Sequence, residues 1–250
     1  MSIPKRHHFV PQMLLRRFAD ADGRLFFFDK RIADKGVQKA SPDNIFLQRH
    51  LYTQYEKDGT KDVSAERHFA QLEGEADRII DKITQQAELG KLPRLTTAER
   101  KTWDQFFYYQ WKRTPDSFLR SETLADFDEA LDWAIDEYEQ AHRPLTDKEK
   151  QDLEHPDAIK RIAQNARVQA VTDPGKEVQD IMARKALGIV LLAKPNKSFV
   201  IGSYPIVRFA PGTHLSDPRA GMWLPVAHNI AITPAPGPGH LERFLTITDD

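Results

Sequence analysis

Between residues 64 and 142, apolar side chains recur at steps of three and four, the spacing of helices with one buried face. Phe69, Leu72, Ala76, Ile79, Ile80 and Ile83 predict a helix from Ser64 to about Gln86. Thr96 and Glu99 form a capping-box pattern, which opens a second helix running to about Thr114. Its apolar stripe is Trp103, Phe106 and Phe107, and Pro115 ends it. A third helix covers roughly Glu122 to His142, with Leu124, Phe127, Leu131, Ile135 and Tyr138 inward and acids outward. Arg143-Pro144 stops it. Two more helices are expected over Pro156–Val171 and Lys176–Leu192.

The flanks read differently. Phe9-Val10 is extended, and Pro11 suits the first turn of a short helix with Leu14, Leu15 and Phe18 on one face. Arg24 to Asp29 reads as a strand, and 44–47 and 50–53 as further extended segments. Lys57-Asp58-Gly59-Thr60 is a turn. Near the C-terminus, Ser198–Ile201, Ile206–Phe209, Trp223–Val226 and Asn229–Ile232 read as short strands, and PAPGPGH at 234–240 as a loop. Strands, then helices, then strands is a segregated α+β pattern. The expectation is one domain over 1–250, with a helical middle of about 64–192 inserted between terminal strand segments. Those segments would share one antiparallel sheet packed against the helices.

Composition narrows the function classes. With 40% hydrophobic and 29% charged residues, the chain reads as a soluble globular protein, with the cytoplasm as the default location. It has no cysteine, which removes disulfides, thiolate metal sites and a cysteine nucleophile. The longest apolar run, ALGIVLLA at 186–193, is far short of the roughly 20 residues of a membrane span. The net charge of −1 hides an asymmetry: residues 1–40 carry nine Lys/Arg against four Asp/Glu (+5), and 116–160 carry five against fourteen (−9). The basic opening could meet a nucleic acid or nucleotide, or dock on the acidic middle of its own chain. The acidic helix could face a protein partner or solvent.

Candidate chemistry concentrates in KRHHFVPQMLLRRF at 5–18. His7 and His8 precede a helix start, with Lys5 and Arg6 beside them. Free N–H groups and cations make an anion site, and the same field would keep an imidazole neutral enough to act as a base. The plainer alternative packs one ring under Phe9 and leaves the other solvated. On the second helix, the apolar stripe continues into Gln110 and Arg113, so both should point inward or into a cleft. A buried guanidinium needs a counter-charge, and Glu73 on the first helix is positioned to supply it. This is either a structural pair or an anion pocket. Gly202-Ser203-Tyr204-Pro205 is either a turn that aims Ser203 at a cleft or a turn alone. No Gly-x-Ser-x-Gly elbow, Walker loop, GxGxxG or HExxH occurs, so the residues propose neither a metal site nor a cofactor. His7 and His8 with Asn44 and His50 have a loose flavour of a histidine–asparagine–histidine nuclease motif, at poor spacing.

HHFVPQMLLRRF resembles the opening of a mainly bacterial family, domain of unknown function 4238. Arg113-Thr114-Pro115 is similar to that family's helix-ending Arg-Thr-Pro, and FVIGSYPIV at 199–207 with Leu224-Pro225 to its C-terminal strand–turn–strand region. The resemblance implies that three distant segments build one site. It implies no reaction. Where the family shows a Ser-Asp-Asn-Pro-like turn, this chain has Ser203-Tyr204-Pro205, without the acid.

The expectation is therefore a hydrolase acting on a phosphate-containing substrate, such as a nuclease. His7, His8 and Glu73 form its catalytic set, and Gln12, Arg16, Gln110, Arg113 and Ser203 hold the substrate. The alternatives are a non-catalytic anion- or protein-binding module and a metal-dependent nuclease of the histidine–asparagine–histidine kind.

Overall fold

Helices carry the centre of the chain. The computed structural model describes residues 4–114, 124–173, 175–192, 194, 196–208, 214–217 and 220–245. In chain order the helices are α1 (Gln12–Arg16), α2 (Ser64–Glu88), α3 (Thr97–Lys112), α4 (Leu124–Ala141), α5 (Asp147–Glu154), α6 (Pro156–Thr172) and α7 (Lys176–Ala183). The capping box forms as read: the Thr96 hydroxyl accepts from the Glu99 N–H, and the Glu99 carboxylate accepts from the Thr96 N–H. A second box, Thr146 with Glu149, starts α5. No side chain of α5 is buried, so this helix has no apolar stripe to announce it.

The strands are β1 (Arg6–His8), β2 (Leu25–Phe28), β3 (Val37–Ala40), β4 (Leu47–Arg49), β5 (Gln54–Tyr55), β6 (Lys61–Asp62), β7 (Ala186–Leu191), β8 (Val207–Arg208), β9 (Met222–Pro225), β10 (Ile230–Ala235) and β11 (Glu242–Leu245). The class is α+β. One sheet runs β11-β7-β10-β9-β8, antiparallel except for the parallel β11–β7 pair. The N-terminal strands do not join it. They form three separate ribbons, β1–β4, β2–β3 and β5–β6. The shared terminal sheet is thus corrected. These strands are only two to four residues long, and side-chain packing holds them. Val10, Leu15 and Leu25 make a small core of their own, on which Ile201 also packs.

Several further readings change. The last helix stops at Ala183, and ALGIVL is the central strand β7. Covered on both faces, its first five residues are all buried, so the alternation that marks a strand is missing. On α4, Leu131 and Ile135 are half-buried and Tyr138 is exposed, so the expected inward stripe is not a core face. Residues 198–201 are not a strand, although the Phe199 N–H donates to the His228 carbonyl at 2.7 Å. The readings at Pro115, Phe209 and Pro195, and the side chains of Leu124 and Phe127, lie outside the described residues.

The main core stacks Phe69, Ile80 and Ile83 of α2 against Trp103 and Phe107 of α3, and continues into Leu187 and Ile189 of β7 and Ile230 and Ile232 of β10. Each such side chain contributes about 1.5–3 kcal/mol on burial. This core fixes α2 and α3 side by side, and the N-terminal segment lies against them. Among the described residues, no helix is long and apolar enough to cross a membrane.

Candidate functional site

Strand pairing decides what the two histidines can do. β1 runs antiparallel to β4, with His7 opposite Gln48 and His8 opposite Leu47. Successive side chains of a strand point to opposite faces. The adjacent imidazoles therefore enter different environments. Phe46 and His50, which flank β4, both have positive φ (53° and 56°). For non-glycine residues this costs about 1 kcal/mol or more each, held here by the surrounding contacts.

His7 faces inward and is fully buried. Its Nδ1 accepts from the Tyr52 N–H at 3.0 Å, and its Nε2 donates to the Pro4 carbonyl at 3.2 Å. The ring stacks on Tyr52 with centroids 5.8 Å apart. Burial holds its pKa below the ordinary 6.5. With both nitrogens engaged, His7 has no lone pair to offer a substrate. Its place in the catalytic set is corrected: it is a structural imidazole.

His8 faces the other way and is half-buried. Burial lowers its pKa, opposed by a hydrogen bond to the Pro42 carbonyl and by the charges of Glu73 and Asp43. The Gln12 amide nitrogen lies 3.4 Å from Nε2 and 3.5 Å from Nδ1. Gln12 in turn accepts from Arg16 at 2.7 Å, and the Arg16 side chain is 62% exposed. Arg6 donates to the Asp43 carbonyl at 2.7 Å and to the Asn44 Oδ1 at 2.9 Å. A neutral imidazole thus sits inside a rim carrying two guanidinium groups. Asn44 belongs to this rim. His50 does not: its ring lies edge-on to His7, at 6.4 Å.

Behind β1 lies a buried clasp. The Arg113 side chain, 2% exposed, donates to Glu73 Oε1 at 2.5 Å and sits over the Phe69 ring. Its Nε reaches the Phe9 carbonyl at 3.4 Å, and the Gln110 amide donates to the same carbonyl at 2.9 Å. The Tyr52 hydroxyl donates to the Arg113 carbonyl at 2.8 Å. Gln110 and Arg113 thus grip the backbone one residue beyond His8. The Gln110 Oε1 is buried with no hydrogen-bond partner among the described residues. Arg113 is therefore a clamp on the strand that carries His8, with its charge already matched by Glu73. Ser203 is exposed and hydrogen-bonds to none of these residues, although its loop approaches the N-terminal core through Ile201.

The basic opening docks on its own chain, on α2. Arg17 donates to Asp77 and, at 2.7 Å, to Asp81. Four acids of α2 serve this segment: Glu66, Glu73, Asp77 and Asp81. Glu66 is absent from the candidate set drawn from the sequence. Its Oε2 lies 3.8 Å from His7 Nδ1. Burial raises its pKa to about 7, Arg113 opposing and Glu73 adding to the rise. Its signal was its place three residues before Phe69 and seven before Glu73, on the same helix face. α6 supports the opposite side: Gln164 donates to the carbonyls of Leu51 (3.0 Å) and Thr53 (3.1 Å), fixing the turn that carries Tyr52.

A separate open cavity of about 300 Å³ lies between the β5–β6 turn and α6, lined by Lys57, Lys160 and Arg161 among others, and touches the support of this cluster only through Gln164. Among the described residues, no group of three or more His, Asp or Glu side chains is arranged to hold a metal ion.

The molecule is an α+β protein in which an N-terminal His-His strand is clasped by two core helices. The chain belongs to the family described as protein of unknown function (DUF4238), whose model matches residues 6–234, from the first residue of β1 into β10. No curated protein and no solved structure matches it.

Proposed function

We propose that this protein is a hydrolase of phosphate-containing substrates, nucleic acid or nucleotide among them, with His8 as its general base. One observation carries the reading. The His8 pKa lies below 6.5, its ring meets the Gln12 amide that Arg16 holds, and Arg6 stands two residues back on the same face of β1. His8 would take a proton from water, whose oxygen forms the new bond to phosphorus. The bond to the leaving oxygen breaks, and that oxygen takes a proton from solvent. Arg16 and Arg6 would hold the phosphoryl oxygens, and Gln12 would set the imidazole's orientation. Arg113, Gln110 and Glu73 act as positioning residues, through the Phe9 carbonyl.

The test is cleavage of bis(p-nitrophenyl) phosphate and of short RNA and DNA by the purified chain. His8→Ala is expected to lower turnover by roughly 10²–10⁴-fold. Activity should rise as pH increases through a value below 6.5, because the base works when neutral. Cleavage undiminished in His8→Ala sinks the assignment.

The completeness of the clasp favours a second reading, a non-catalytic anion-binding module. His7 and Arg113 are matched within the chain, His7 by Tyr52 and Pro4 and Arg113 by Glu73 and the Phe9 carbonyl, as structural groups are. That reading takes over if no substrate is cleaved, with or without divalent metal, while phosphate or nucleotides still raise the melting temperature.

A further inference from the structure

Among the surfaces outside the core and outside the clasp that expose large apolar side chains, two carry opposite charge. The first is the β2–β3 ribbon. Its register pairs Phe26 with Lys39 and Phe28 with Val37, so alternation puts these four on one outer face. Phe26, Phe28 and Val37 are 61%, 53% and 67% exposed. Lys39 lies 4.4 Å over the Phe26 ring. Residues 24–39 hold five Lys/Arg against two Asp/Glu, a surplus of +3.

The second surface is α4. None of its described side chains is buried, and Trp133 is 66% exposed. The helix carries seven Asp/Glu and no Lys/Arg. Glu129, Asp136 and Glu137 stand four before, three after and four after Trp133, the spacings that ring a residue on a helix surface. Like charges such as Asp132 and Asp136, four apart, repel one another along the helix. A cationic partner would relieve that repulsion.

We infer that α4 of one copy docks on the β2–β3 ribbon of a second copy. The two faces match in both respects that decide docking. Each offers exposed aromatics, and their charges are opposite. A tryptophan ringed by carboxylates attracts a lysine ammonium both through its π-face and through the acids around it, and Lys39 already sits on an aromatic ring. If the contact is reciprocal, two chains bury both surfaces twice and the assembly closes as a two-fold dimer.

Sedimentation of the full chain from low micromolar to several hundred micromolar tests this. Association is expected, and it should weaken as salt screens the charges. Trp133→Ala and the double variant Phe26→Ser/Phe28→Ser should each weaken it by roughly tenfold or more. Asp136→Lys should do the same without removing an aromatic. Thermal melts check that every variant folds. Mixing the Trp133 and Phe26/Phe28 variants should recover association, because each brings the intact face that the other lacks. A chain that is monomeric throughout overturns the inference, as does association indifferent to all three variants, or a mixture that fails to recover. If the monomer instead binds oligolysine through α4 or an oligonucleotide through the ribbon, the two faces serve separate partners and the second-copy assignment falls.

Discussion

His7 and His8 are neighbours in the chain and opposites in the structure. The first gives both nitrogens to the backbone, at Tyr52 and Pro4, and is sealed. The second has one backbone partner, Pro42, and otherwise meets side chains at a charged rim. A strand of three residues produces this split through alternation alone. A histidine pair is therefore a poor unit of inference: one ring can hold the fold while the other is free to act.

The comparison can be broken or sharpened by substitution. The largest effect should come from Arg113→Ala. It leaves Glu73 without its partner beside the core and is expected to cost about 3–5 kcal/mol in denaturant unfolding. His7→Ala removes a buried ring and strands the Tyr52 N–H and the Pro4 carbonyl, at about 2–4 kcal/mol. His8→Ala should cost less than about 1 kcal/mol, because its contacts are long and partly solvated. If His7 and His8 prove equally costly, the division of roles fails. Ser203→Ala should stay within about 0.5 kcal/mol, as an exposed residue outside the cluster.

The pH dependence separates two groups on the buried side of β1. His7 has a lowered folded pKa, so its contribution is present above 6.5 and is lost as pH falls through the folded value. Glu66 runs the other way. Its pKa rises from 4.5 to about 7, so its contribution is present below 4.5 and is lost as pH climbs through about 7. Glu66→Gln should raise the melting temperature at pH 8 by several degrees, corresponding to about 2–3 kcal/mol. It should do little at pH 4. An equal shift at both pH values would show that the carboxyl is not titrating near neutrality.

What was legible in the sequence follows from the range of the contacts involved. Helix periodicity reports which face is buried, so α2, α3 and the inward turn of Gln110 and Arg113 could be read from positions a few residues apart. The capping box at Thr96 is equally local. The fate of His7 and His8 depends on β4, some forty residues away, and on Tyr52, which no local pattern ties to them. β7 was misread because burial on both faces erases the period that distinguishes strand from helix. The α4 stripe failed for a different reason. Its periodicity is real, but amphipathicity shows only that a face could be covered, not that the same chain covers it.

The clasp on the Phe9 carbonyl also orders events during synthesis. Its donors, Gln110 and Arg113, lie 101 and 104 residues downstream, and Tyr52 closes on Arg113 across 61 more local positions. Closing so long a loop has to wait until α3 has left the ribosome. The strand bearing His8 is thus made well before the residues that clasp it. Its amide protons should gain protection from exchange only after those of α2.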